Sequence, residues 1–240
     1  MDLFVEKYRP KTVGECILPS SLSDTFSEMV QTGVPQNLLL CGSAGTGKTS
    51  VARALCGDLD TEYIVINCSE DGNIDTLRTK IRGFASTVSL NGNKKVVILD
   101  EFDYSNANSI QPALRGAIEE FAKNCRFIIT CNYKNRIISP IHSRCTNIEF
   151  TIPAEEKPKI ANKFLVRLKN ILEQENVEYD EGVLAKIILK YFPDFRRVLN
   201  EIQRYSVSGK IDVGILSDFD DIKIKELMSA MKQKKFTECR

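Results

Sequence analysis

Only one histidine, His142, stands in the 240 residues, and the eight cysteines, at positions 16, 41, 56, 68, 125, 131, 145 and 239, form no C-x-x-C pair. A structural zinc site needs four closely spaced nitrogen or sulfur ligands, so this scarcity argues against a metal-built domain. Several cysteines fall in apolar runs, which fits reduced, partly buried thiols in a cytosolic protein. No run approaches the roughly 18 apolar residues of a membrane helix. The start, Met1-Asp2-Leu3-Phe4-Val5-Glu6-Lys7, has no signal-peptide pattern. The expectation is a soluble, cytoplasmic protein with no membrane partner. Neither sign of charge is in excess, the formal net charge being +1. Nucleic-acid binding would therefore need a local basic cluster, or several copies that pool modest ones. No internal repeat and no low-complexity stretch interrupts the chain.

What is there reads as ordinary globular sequence, 42% hydrophobic and 27% charged, enough for one large domain or two small ones. Short apolar runs rich in Val, Ile and Leu occur at 37–41, 63–67, 95–99 and 126–131. They show little polar alternation, as strands buried on both faces of a parallel sheet do. Helical spacing lies between them, for example Ile110, Leu114, Ile118 and Phe121. That alternation predicts an α/β fold around a central parallel sheet. The pattern changes near Pro153, and residues 155–205 read as helix throughout. One helix carries Ile160, Phe164, Leu168 and Ile171. Asp180 is placed to cap a second, with Val183, Leu184, Ile187 and Ile188 on its apolar face. Asp194 is placed to cap a third, with Phe195, Val198, Leu199 and Ile202. A further amphipathic helix is expected at 218–232.

Gly42-Ser43-Ala44-Gly45-Thr46-Gly47-Lys48-Thr49 fits G-x-x-x-x-G-K-[ST] between an apolar strand and a helical run, the context that motif requires. Its glycines let backbone N–H groups turn toward phosphates, and the helix N-terminus adds positive potential. The loop, with Ser50 behind it, is expected to hold ATP. Lys48 would reach the β- and γ-phosphates and the Thr49 hydroxyl would ligate Mg²⁺. Val96-Val97-Ile98-Leu99-Asp100-Glu101 delivers two carboxylates to a strand's C-terminal end, where ligands bind in open α/β sheets. Asp100 would hold Mg²⁺ through water, and Glu101 would orient and deprotonate the attacking water. Asn132 ends another buried strand. It could touch the γ-phosphate or simply make a turn. Arg144, in Ser143-Arg144-Cys145 ahead of a strand, reads on its own as a surface residue.

Glu6-Lys7-Tyr8-Arg9-Pro10, the glycine-rich loop, Asp100-Glu101, Gln111-x-x-Leu114-Arg115, Ser143-Arg144-Cys145 and Pro193-Asp194-Phe195-Arg196-Arg197 fall in the order seen in AAA+ sliding-clamp loader ATPases. The chain resembles that family along essentially its whole length, in particular the large subunits of T4-type bacteriophage loaders. The resemblance implies an AAA+ P-loop domain at 1–152 and a small all-helical lid domain at 153–212. It makes 213–240 a linker and the start of a helical collar domain. It implies an adenine pocket of Tyr8, Arg9, Pro10, Cys16 and Ile17. Asn132 would be a sensor at the γ-phosphate, Arg144 a finger acting on a neighbour's ATP, and Arg196 a second sensor from the lid. Gln111 and Arg115 would lie on a helix that couples the site to DNA, and Arg78, Lys80 and Arg82, with Arg115, would contact the DNA backbone. The bland alternative for those basic residues is a solvated helix face.

The implied activity is ATP hydrolysis stimulated by DNA and clamp. The implied partners are a ring-shaped sliding clamp, a second loader subunit, further copies of this chain and primer–template DNA. Two rival readings stay open. One is another AAA+ DNA motor, a branch-migration helicase or an initiator. The other is a nucleotide-binding scaffold that never hydrolyses.

Overall fold

The computed structural model describes residues 3–70, 74–87, 89, 94–207 and 209–212. The helix expected at 218–232, and the rest of 213–240, lie outside these. The chain divides into two compact units, Arg9–Ile160, and Met1–Tyr8 with Ala161–Arg240. In chain order the elements are α1 (Phe4–Lys7), α2 (Ser20–Thr32), β1 (Leu38–Cys41), α3 (Lys48–Asp58), β2 (Tyr63–Asn67), α4 (Ile74–Ala85), β3 (Lys95–Asp100), α5 (Ile110–Glu120) and β4 (Cys125–Cys131). There follow α6 (Ser139–His142), β5 (Thr146–Glu149), α7 (Lys157–Gln174), β6 (Glu178–Tyr179), α8 (Glu181–Tyr191), α9 (Phe195–Ser206) and β7 (Lys210–Ile211).

In the first unit β1 to β5 make one parallel sheet, in the order β2-β3-β4-β1-β5. Parallel neighbours need crossover connections, and here the crossovers are helices that cover both faces. The two-residue period of a strand then splits its side chains between two cores. Leu38, Leu40, Val96, Ile98 and Ile128 pack with Phe26 of α2 and Val51 and Leu55 of α3. Leu39, Val97, Leu99, Phe127 and Ile129 pack on the other face with Leu77 and Ile81 of α4 and Leu114 and Ile118 of α5. Burial on both faces explains the unbroken apolar runs of β1, β3 and β4. The same expectation fails for β2. Among the described residues it is an edge strand with one neighbour, and its Tyr63 is 39% exposed.

In the second unit both expected caps form. Asp180 Oδ1 accepts from the Val183 N–H at 3.0 Å and Asp194 Oδ1 from the Arg197 N–H at 3.0 Å, which starts α8 and α9. Phe164, Leu168, Leu184, Ile187, Val198 and Ile202 are buried, whereas Phe195 and Leu199 are half-buried. The Phe195 ring lies against Phe164, centroids 4.5 Å apart. Among the described residues no helix is long and apolar enough to cross a membrane.

Burial pushes the Cys56 and Cys145 thiols up to about 12 and the Cys125 thiol up to about 11, from an ordinary value of 9.0. The unfolded chain ionises these thiols near the ordinary value and the folded chain only at the higher ones. Their stabilisation is full below that ordinary value and is lost as pH rises through the window. Urea midpoints are therefore expected to fall between about pH 9 and about pH 11, and to fall less steeply in Cys56→Ala. Equal slopes in the two proteins would contradict burial as the cause.

Candidate active site

β1, β3 and β4 lie side by side, so the loops after them meet at the C-terminal end of the sheet. The first is the glycine-rich loop. The Gly42 N–H donates to the Cys131 carbonyl at 3.2 Å, and a Cβ at Gly42 would stand 2.8 Å from Phe150 Cβ and 3.0 Å from its carbonyl oxygen. Only glycine fits that approach. Gly47, at φ 90°, turns the chain into α3 without a side-chain cap. The first-turn N–H groups of α3 thus point out of the helix end, where an anion is stabilised. Ser43 and Ala44 are exposed, while Thr46 is buried and donates to the Ser43 carbonyl at 2.9 Å.

Lys48 is 7% exposed. Its Nζ donates to the carbonyls of Gly42 and Ser43, each at 2.8 Å, and to Asn132 Oδ1 at 3.0 Å. One residue on, the Thr49 hydroxyl donates to Asp100 Oδ1 at 2.7 Å. Thr130 of β4 donates its hydroxyl to the same carboxylate oxygen and accepts from the Glu101 N–H at 3.1 Å. Glu101 sits at φ 54°, ψ 42°, a left-handed conformation that few non-glycine residues adopt. It ends β3 at one residue and turns its side chain off the strand line. Held strain of this kind, of order 1 kcal/mol, clusters at functional sites.

Two residues of this group carry no motif. Thr130 is a buried hydroxyl in the apolar run of β4. Asp103, 4% exposed, accepts from the Asn132 N–H at 3.2 Å and the Tyr133 N–H at 3.3 Å, and so holds the tip of β4. The available signals were a third acid after Asp100-Glu101 and a lone hydroxyl among aliphatics. Directly beneath the loop, Cys131 Sγ donates to Cys41 Sγ at 3.3 Å. That hydrogen bond draws the Cys41 thiol below its ordinary value and holds Cys131 above it.

Of the expected adenine-pocket residues, Arg9 reaches the Ser50 hydroxyl at 3.5 Å. Pro10, Cys16 and Ile17 are half-buried, and Cys16 Sγ donates to the Thr12 carbonyl at 3.4 Å. Tyr8 belongs to the second unit. Its hydroxyl donates to Glu175 Oε1 at 2.5 Å and its carbonyl accepts from Arg167 at 2.8 Å. Arg196 also belongs there, exposed in the first turn of α9.

Arg144 is placed at the opposite end of the sheet from Lys48. Thr146, which opens β5, pairs with Leu38 at the start of β1, whereas Gly42 follows the end of β1. A strand of that length spans roughly 13 Å. The Arg144 guanidinium is engaged within the chain. Nε donates to Glu119 Oε1 at 2.9 Å and Nη2 to the same oxygen at 2.5 Å, while Nη1 donates to the Pro140 carbonyl at 2.8 Å. These contacts hold the Glu119 carboxyl below its ordinary range.

Arg78, Lys80 and Arg82 are exposed on α4. Arg78 and Arg82, four apart, line one groove of about 300 Å³ between α4 and α5, where Arg82 faces Glu120 at 3.8 Å. Lys80 does not line that groove, being about 200° round the helix from Arg78. Arg115 is exposed on α5, and Gln111 is fully buried. The Gln111 amide donates to the Arg136 carbonyl at 2.9 Å and accepts from the Ile138 N–H at 2.8 Å, tying α5 to the segment after β4.

The donor set fits a nucleoside triphosphate. A helix end, a buried ammonium and an amide face one point, and a hydroxyl and a carboxylate converge beside it, the oxygen pair that Mg²⁺ favours.

Comparison with known proteins agrees. Residues 38–153 match the model of the ATPase family associated with various cellular activities (AAA), and residues 156–217 match the sliding-clamp-loader large subunit AAA+ ATPase lid domain. The chain is 42% identical to the sliding-clamp-loader large subunit of Escherichia phage RB69 over 240 residues, covering 98% of this chain and 75% of that protein. Identity to the Enterobacteria phage T4 large subunit is 39%, with the same coverage. Replication factor C small subunit of Archaeoglobus fulgidus is 37% identical, covering 88% of this chain and 66% of that one. Among solved structures, the Thermotoga maritima RuvB Holliday junction branch migration motor superposes with a TM-score of 0.67 at 18% identity, covering 89% of this chain and 72% of that one. At that identity the likeness is one of fold.

Asp103→Ala leaves two backbone N–H groups at the β4 tip without their acceptor. It should lower unfolding free energy by about 1–3 kcal/mol, read from urea denaturation. An unchanged midpoint would show that Asp103 does not hold the tip.

Proposed function

Because the chain belongs to the sliding-clamp-loader family of AAA+ ATPases, we propose that it is the motor subunit that opens a ring-shaped polymerase clamp and loads it at primer–template junctions. The observation that carries this reading is the separation of Lys48, Thr49, Asp100, Glu101 and Asn132 from Arg144 by the length of β1. An arginine at the far end of the sheet does not reach its own chain's nucleotide, which supports a role on a neighbour's.

ATP lies along the glycine-rich loop, its phosphates against the N–H groups of residues 42–50 and against Lys48. Thr49, and Asp100 through water, would hold Mg²⁺, which would neutralise phosphate charge. Glu101 orients a water and takes its proton, while Asn132 fixes the γ-phosphate from the β4 tip. Arg144 of one subunit stabilises the charge that develops on the next subunit's ATP, and the resemblance gives Arg196 the role of second sensor. Arg9, Pro10, Cys16 and Ile17 enclose adenine, and the resemblance adds Tyr8 to that set. Arg78, Arg82 and Arg115 rest on the DNA backbone, with Lys80 a weaker candidate because it faces elsewhere on α4. Contacts of this type position a protein without reading sequence, as any primer junction demands.

The cycle follows from the split site. ATP binding draws subunits together and strains the clamp open, primed DNA completes the sites and triggers hydrolysis, and ADP release frees the clamp on DNA, all in the cytoplasm. The ATPase domain (1–152), lid (153–212) and linker with collar start (213–240) belong to the same reading. A branch-migration motor shares the fold at 18% identity, far below the 42% of the phage loader subunit. A non-hydrolysing scaffold would have no need of Glu101 held at the tip of β3.

Steady-state ATP hydrolysis by the assembled loader tests this. Clamp and primer–template together should stimulate strongly, and Arg144→Ala should lower the stimulated rate by about 10³ or more. Glu101→Gln should bind ATP without turning it over. Stimulation by DNA alone, indifferent to the clamp, would overturn the assignment in favour of another DNA motor.

A further inference from the structure

The Arg144 side chain lies beside an open recess of about 410 Å³, which Asn37, Arg126, Ser143 and Thr146 also line. A guanidinium has five N–H donors. Two of Arg144's go to Glu119 Oε1, one to the Pro140 carbonyl at 2.8 Å, and one makes a long 3.4 Å contact with the Ser143 hydroxyl. Among the described residues, what remains at the tip is an Nη2–H with no acceptor and a weakly engaged Nη1–H, a pair suited to phosphate oxygens.

We propose that Glu119 is the positioning residue for Arg144: its carboxylate grips the Nε edge of the guanidinium so that the outer pair of donors faces the recess. This rests on the reading of Arg144 as acting on a neighbour's ATP, and it adds which residue of the same chain aims it. An arginine on an exposed loop otherwise samples many rotamers, and each productive encounter would have to select one of them.

Glu119 is itself well supported. It stands in the last turn of α5, whose first turn is fixed by Gln111 through the Arg136 carbonyl and the Ile138 N–H. The segment so fixed runs through α6 directly to Arg144. Helix and loop are therefore clamped at both ends, by a buried amide at one and by the carboxylate–guanidinium pair at the other. The adjacent acid, Glu120, is turned to Arg82 instead, so the two carboxylates serve different cations.

The test is ATP hydrolysis by the assembled loader with clamp and primer–template, comparing Glu119→Ala, Glu119→Gln, Glu119→Asp, Arg144→Ala and the double variant Glu119→Ala with Arg144→Ala. Glu119→Ala and Glu119→Gln should lower kcat by about tenfold and leave KM for ATP unchanged, because the chain's own nucleotide residues are intact. Glu119→Asp should recover part of the rate, since it keeps the carboxylate. In the Arg144→Ala background, Glu119→Ala should add nothing. The proposal is overturned by a kcat within about twofold of the parent, by a kcat above it, or by a further loss in the Arg144→Ala background. If Arg144→Ala itself keeps full activity, the reading of Arg144 fails and this proposal with it. If Arg144→Ala is inactive while both Glu119→Ala and Glu119→Gln are normal, only the positioning role is lost.

Discussion

The site depends on β4 lying between β1 and β3. That strand carries the hydroxyl, and the residue that follows it the amide, that join the other two. Thr130 bridges Asp100 and the Glu101 N–H on the β3 side, and Asn132 takes a bond from Lys48 on the β1 side. Asp103 then reaches back to brace the β4 tip. In a buried setting such linked hydrogen bonds polarise and rigidify one another, and an unpaired member is costly. Loop, carboxylates and the Asn132 amide thus behave as one body whose geometry is set by the sheet beneath it.

Much of this could be read from the residues alone. The glycine-rich loop is legible because phosphate binding demands small residues, a lysine and a hydroxyl at fixed spacing, with a strand before and a helix after. The strands β1, β3 and β4 are legible because burial on both faces leaves no polar alternation. The caps at Asp180 and Asp194 follow from local hydrogen bonding, which acts over three residues.

Other features were closed to that reading, because they depend on which strands become neighbours. Nothing local in Thr130 or Asp103 announces a partner about 30 residues away in sequence. β2 reads like its fellows, yet only the sheet order makes it an edge. Lys80 and Arg78 are two apart in sequence, and helical geometry separates them. Glu119 looks like any solvated acid until the fold brings Arg144 to it across 25 residues. Sequence speaks clearly where one element does the chemistry, and faintly where two elements share it.

A parallel sheet has unlike ends, and here those ends carry unlike chemistry: a phosphate-sized cleft at one and an arginine at the other. Where Arg144 completes a neighbour's cleft, copies can join only head to tail, the heterologous mode of association. An arc of such copies that does not close on itself is left with one terminal arginine that has nothing to act on and one terminal cleft that nothing completes. The competent sites are then one fewer than the copies in the arc, and each belongs to a seam rather than to a chain.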